Sequence, residues 1–77
     1  MAHAQTRITR MNIIVEGRRT SLALEAGIWA SLTEMCRQQQ KSLDETCEDI
    51  VREADGISMA SAIRTAVLKH FMARAAA

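Results

Sequence analysis

The apolar residues of this 77-residue chain change their spacing once, near Glu25, and that change limits the folds open to it. Before it, Thr20, Leu22 and Leu24 alternate with Arg19, Ser21 and Ala23, a period of two that sets Leu22 and Leu24 on one face of an extended strand at about 18–25. Farther upstream, the β-branched Ile13, Ile14 and Val15 also read as extended chain. After Glu25, residues Ile28, Trp29, Leu32, Met35 and Cys36 recur at helical spacing and form one stripe of an amphipathic helix. The chain has no Pro and only three Gly, which argues against a turn-rich all-β fold, and its 48% hydrophobic and 25% charged residues argue against disorder. The expected class is mostly α with one short β-strand region.

Three helices are predicted, over 26–39, 43–55 and 58–74. Ser42 followed by Glu45 has the spacing of a capping box, in which hydroxyl and carboxylate satisfy amides that a helix start leaves without partners. The second helix carries Leu43, Cys47, Ile50, Val51 and Ala54 on one side, and Gly56 stands where a left-handed stop belongs. The third sets Met59, Ile63, Ala66, Val67, His70 and Phe71 against Arg64, Thr65 and Lys69, while the polar run Gln38 to Gln40 is expected to fray the end of the first. Residues 1–11 are expected to form a flexible N-terminal arm, and 12–77 a single domain.

A chain this short buries only about 60% of its unfolded surface, so small domains of this size commonly lean on disulfides, a metal or a partner chain. Cys36 and Cys47 are too few for a disulfide framework, and together with His3 and His70 they show none of the spacings that build a zinc site. No cofactor is expected, and oligomerisation is the remaining route. A strand without a partner in its own chain would pair antiparallel with its copy in a two-fold homodimer, with Leu22, Leu24, Ile28, Trp29, Leu32, Leu43, Ile50 and Val51 forming the shared core. The competing solution folds residues 12–16 back onto 19–24 through Glu16 and Gly17 as an intrachain hairpin.

The net charge of +1 conceals three blocks. Arg7, Arg10, Arg18 and Arg19 against Glu16 leave +3 over residues 1–24; eight carboxylates against Arg37, Lys41 and Arg52 leave −5 over 25–57; Arg64, Lys69 and Arg74 leave +3 beyond. No apolar run approaches the roughly 18 residues that a membrane span needs, and no signal-peptide core is visible, so a soluble, cytoplasmic protein with no membrane association is the expectation.

The strand Thr20-Ser21-Leu22-Ala23-Leu24, a helix opened by Ile28-Trp29 with Leu32 and Cys36 inward, and the Lys41-Ser42 turn capping the next helix resemble the ribbon-helix-helix proteins. The likeness runs without a gap from Thr20 to about Val51, about forty percent of the chain. With Gly17-Arg18-Arg19 before the strand and Ile57-Ser58-Met59 to Arg64 after it, the chain looks like a bacterial subfamily with a third helix. Ser61 to Leu68 also resembles the family's second helix, which would make residues 43–55 an insertion.

The resemblance implies an intertwined homodimer whose intermolecular antiparallel ribbon enters the DNA major groove. It implies base contacts from the outward strand positions Arg19, Ser21 and Ala23, with Arg18, Arg7 and Arg10 on phosphates. Arg and Ser suit base edges, whereas Ala offers only contact with a thymine methyl. It also implies a phosphate anchored at the start of the second helix, a turn that here carries Asp44, Glu45, Glu48 and Asp49. No nucleophile comes with a visible base, so catalysis is not expected. The function expected is a double-stranded-DNA-binding transcriptional regulator, a repressor; the alternative is a protein-interaction module, an antitoxin or adaptor, that holds a protein partner by the third helix or the acidic middle.

Overall fold

In the computed structural model, which describes residues 6–76, the elements run β1 (Ile8–Val15), β2 (Arg18–Glu25), α1 (Ala26–Gln39), α2 (Leu43–Glu53) and α3 (Met59–Ala76). The strands pair antiparallel in register from Ile8 opposite Glu25 to Val15 opposite Arg18. Between them, Glu16 and Gly17 both have positive φ, 52° and 77°. A two-residue turn with both centres left-handed is type I′, whose twist matches that of the flanking strands. Gly17 takes that conformation without a Cβ penalty, and Glu16 bears the cost of it.

Two expectations are corrected here. Within the chain β2 pairs with β1, so the competing hairpin is present, longer than the 12–16 segment suggested, and β2 is not the lone strand expected. Residues 8–11 of the supposed arm belong to β1, and the Ala26 amide donates to the Arg7 carbonyl at 2.7 Å, carrying the pairing one residue further. The physical reason is local: closing a two-residue loop costs far less chain entropy than recruiting a second molecule. The start of the expected arm, residues 1–5, lies outside the described residues.

One face of the hairpin supplies Ile13, Val15, Leu22 and Leu24 to a core completed by Trp29, Leu32, Met35 and Cys36 from α1, Cys47 and Ile50 from α2, and Ala62, Ile63 and Val67 from α3. Ile28, Leu43 and Val51 pack against it half-buried. The residues expected to form the dimer core thus all lie in or against this interior, and β1 adds Ile13 and Val15 to it. Trp29 also fixes the hairpin to α1, its indole Nε1–H donating to the Thr9 carbonyl at 2.8 Å.

The helix ends follow from local chemistry. At the start of α2 the Ser42 hydroxyl accepts from the Glu45 amide at 3.0 Å, and the Glu45 carboxylate accepts from the Ser42 amide at 2.9 Å. This reciprocal pair is the capping box expected from the sequence. Replacing Ser42 by Ala is expected to cost about 1 kcal/mol, read as a lower urea midpoint with an unchanged denaturant slope. Helix α1 stops at a left-handed Gln40, whose amide bonds the Arg37 carbonyl while the Lys41 amide bonds that of Cys36. Helix α2 ends two residues before the expected 55, with Ala54 extended (φ −74°, ψ 134°), so the left-handed Gly56 shapes the following loop rather than the helix stop. Gln38, expected to fray, instead donates to Glu34 at 3.0 Å and lies 2.7 Å from His70 Nε2 on α3.

Candidate nucleic-acid interface

The register divides the hairpin into two faces. Strand residues point alternately to opposite sides, so the set sharing parity with the buried Leu22 and Leu24 faces the helices, and the other set faces away. The outward set is Ile8, Arg10, Asn12 and Ile14 from β1, opposite Glu25, Ala23, Ser21 and Arg19 from β2. Arg10, Asn12, Arg19 and Ser21 are all exposed. The Arg10 guanidinium donates to Ser21 Oγ at 3.2 Å, a diagonal contact across the two strands.

Of the six residues expected to touch DNA, four thus share one face: Arg10, Arg19, Ser21 and Ala23. The other two do not. Arg18 pairs with Val15 on the helix-facing parity, its side chain exposed at the turn end of the hairpin, and Arg7 stands one residue before β1. Asn12, which was not among the residues expected, shares this exposed face opposite Ser21. Its signal was the alternation Thr9, Met11, Ile13, Val15 against Arg10 and Asn12, obscured by the adjacent Ile13 and Ile14. Ala23 brings no polar group, but the residue opposite it is Arg10, so the neighbouring strand supplies a cation at that level. Arg suits guanine, Asn suits adenine, and Ser accepts or donates.

The surroundings hold this face in place. Asp44 Oδ1 accepts from the Ile14 amide at 3.0 Å, tying the first turn of α2 to β1. At the other end, Arg64 of α3 donates to the Glu25 carboxylate at 3.0 Å. The acidic start of α2 is largely committed to the fold. Glu45 serves the cap, Asp44 serves β1, and Asp49 lies between Lys41 at 2.6 Å and Arg52 at 3.0 Å. Of the first-turn amides that would meet a phosphate, that of Glu45 already bonds the Ser42 hydroxyl, so the second anchor implied by the resemblance is engaged in part within the chain.

These bonds depress carboxylate pKa values. A hydrogen bond from Arg37, helped by Gln38, holds Glu34 at about 2. Asp49 is lowered by hydrogen bonding to Lys41, Glu45 by the Ser42 amide, and Glu25 by a backbone hydrogen bond and then by Arg64. A carboxylate whose folded pKa lies below its unfolded value contributes stability that is complete above the unfolded pKa and is lost as pH falls through the folded one. Thermal stability is therefore expected to be level above about pH 5 and to decline from there toward pH 2. Melts across this range check it, and the same midpoint at pH 2.5 and pH 6 would contradict it.

Cys36 and Cys47 are both buried and free, and burial pushes the Cys47 thiol up to about 11, a state unsuited to nucleophilic chemistry. Among the described residues, no group of three His, Cys, Asp or Glu side chains is placed to hold a metal ion. No helix among them is long and apolar enough to cross a membrane.

A two-stranded antiparallel ribbon backed by helices, with Arg10, Asn12, Arg19 and Ser21 on its outer face between Ile8 and Ile14, fits a ribbon-helix-helix domain. The chain matches the ribbon-helix-helix domain family over residues 8–71 and belongs to that family. The matched span includes β1 and most of α3 as well as the Thr20 to Val51 segment on which the resemblance rested. No curated protein and no solved structure matches the chain.

Proposed function

We propose that the protein is a homodimeric, sequence-specific DNA-binding transcriptional regulator, a repressor, that lays the outer face of its hairpin into the major groove. One observation carries this reading: Arg10, Asn12, Arg19 and Ser21, three chemistries suited to base edges, share one exposed ribbon face. The major groove admits a two-stranded ribbon, and members of the family commonly bind DNA in this way.

The dimer has its own support. In a two-stranded sheet each strand keeps one unpaired edge, and the edge of β1 is engaged at Ile14 by Asp44. The edge of β2 is the one left for a second copy. Antiparallel pairing there makes the two β2 strands the central ribbon, with two sets of Arg19, Ser21 and Ala23 toward the bases. Arg10 and Asn12 then flank them, toward the backbone or the outer bases. Sedimentation at micromolar concentration should give twice 8.5 kDa.

Binding to a duplex selected by the protein from a random-sequence pool is expected to weaken steeply as salt rises from about 50 to 200 mM, because each phosphate neutralised by Arg releases counterion. Affinity unchanged over that range would end the groove reading.

A second reading, a module that holds a protein partner through α3, has one observation in its favour. Leu68 and Met72 lie one turn apart on that helix and remain 58% and 61% exposed. Its acidic-middle version loses ground, since Asp44, Glu45 and Asp49 are occupied within the chain. The double variant Leu68→Glu, Met72→Glu separates the two readings: DNA binding and dimer mass unchanged in it would leave that face to a different protein.

A further inference from the structure

A homodimer joined along the free edge of β2 gains little apolar area from that edge alone. Leu22 and Leu24, the inward side chains of β2, are already only 5% and 0% exposed within one chain. Pairing there adds backbone hydrogen bonds but hides almost nothing more of these side chains. Stable interfaces between proteins bury about 1,200–2,000 Å² around an apolar centre, so the remainder has to come from a neighbouring surface.

The packing order identifies that surface. Helix α2 lies against β1 and α3 against β2, so α3 stands on the side of the molecule along which the free edge runs. Arg64 reaches Glu25 at the end of β2, and Leu68 follows Arg64 by one turn of α3. Leu68 and Met72 remain 58% and 61% exposed. The other large exposed apolar side chains lie elsewhere, Ile8, Met11 and Ile14 on β1 and Ile57 in the loop before α3. Ser61, Thr65, Leu68 and Met72 are all exposed and uncharged, and they follow one another at steps of four, three and four residues. That is the rhythm of a seam between two paired helices.

We propose that this row on α3 is the apolar half of the dimer interface, covered by the same row of a second copy. The inference rests on the homodimer reading and adds a second contact to it. The two-fold axis that sets β2 antiparallel to its copy also relates the α3 helices, so Leu68 and Met72 of both copies meet across it. The helix pair supplies the apolar contact that the β2 edge lacks, and the strand pair fixes the register of the ribbon.

Sedimentation of the full chain without DNA tests it. The parent chain is expected at twice 8.5 kDa at micromolar concentration. Leu68→Glu with Met72→Glu should raise the dimer dissociation constant by at least about a hundredfold, leaving a single subunit that circular dichroism shows to be folded. Ile8→Lys, which changes an equally exposed apolar side chain on β1, should leave the dimer intact. A second measurement does not depend on how the double variant folds. Cys36 and Cys47 are buried, so mild oxidation of Leu68→Cys should join two copies through the new thiol, and faster than in Arg52→Cys on the exposed side of α2. The inference alone is overturned if the parent chain is a dimer and the double variant is equally dimeric. It is also overturned if Ile8→Lys separates the copies as readily, or if Leu68→Cys crosslinks no faster than Arg52→Cys. A parent chain that sediments as a single subunit overturns the homodimer reading along with it.

Discussion

Replacing Arg19 by Ala is expected to weaken binding to the selected duplex by about 1–3 kcal/mol for each copy of the side chain that sits bidentate on a guanine, and so by about 2–6 kcal/mol in a symmetric dimer. Arg19 is exposed on the outer face opposite Ile14, beside Asn12 and Ser21, so removing its side chain takes nothing from the core. The melting midpoint should stay within the small range of surface substitutions. A base contact and a phosphate contact predict different signatures. Loss of the first relaxes preference at one base position, whereas loss of the second weakens all duplexes alike and reduces the salt slope by about one unit. Arg18→Ala is the natural comparison, since Arg18 lies on the other parity of β2 and should show at most the second signature. Equal loss in both variants, without change of sequence preference, would remove Arg19 from the bases.

The second large effect concerns folding. Leu24→Ala is expected to cost about 2–5 kcal/mol, because the side chain is fully buried where the hairpin meets the helices, and deletion leaves a cavity that the surroundings fill only in part. For a domain of this length the whole stability is about 4–12 kcal/mol, so the variant should lose much of its urea midpoint. Ala23→Ser, one residue earlier and on the outer face, should change stability by less than about 0.5 kcal/mol. Neighbouring residues would thus differ several-fold in effect, which follows only from the period of two and the register found for β2. Similar losses at both positions would mean that the register is wrong.

The helical part of this fold is legible in the sequence because its signals are local and redundant. Trp29, Leu32, Met35 and Cys36 repeat at helical spacing and are buried together, and Ser42 with Glu45 marks a helix start by chemistry confined to four residues. The end of α1 is not legible in the same way. Gln40 takes the left-handed conformation that glycine usually announces, and only the bonds to Arg37 and Cys36 reveal it. Gly56 misleads for the opposite reason: its positive φ is real, but α2 has already ended at Glu53.

The strand partner was half visible. Glu16-Gly17 permits a type I′ turn, yet nothing within those two residues decides between folding back and pairing with a copy. What decides it is the alternation of β1 itself, which begins at Ile8 and is obscured by the adjacent apolar Ile13 and Ile14. Of the outer face, Arg19, Ser21 and Ala23 were readable from parity in β2 alone. Asn12 was not, because the adjacent Ile13 and Ile14 obscure the parity of β1, and only the register sets it opposite Ser21. The exposed Leu68 and Met72 were equally hidden, since α3 is apolar around most of its circumference and spacing alone does not say which side remains uncovered.

The central claim is that the hairpin turns its outer face to duplex DNA, and amide and side-chain chemical-shift mapping during titration with the selected duplex tests it most directly. The account predicts that the largest changes fall on Arg19, Ser21 and Ala23, extend to Arg10 and Asn12, and spare the side chains of Leu68 and Met72. Changes concentrated on α3, or on Arg18 and Arg7 with the outer face silent, would contradict it.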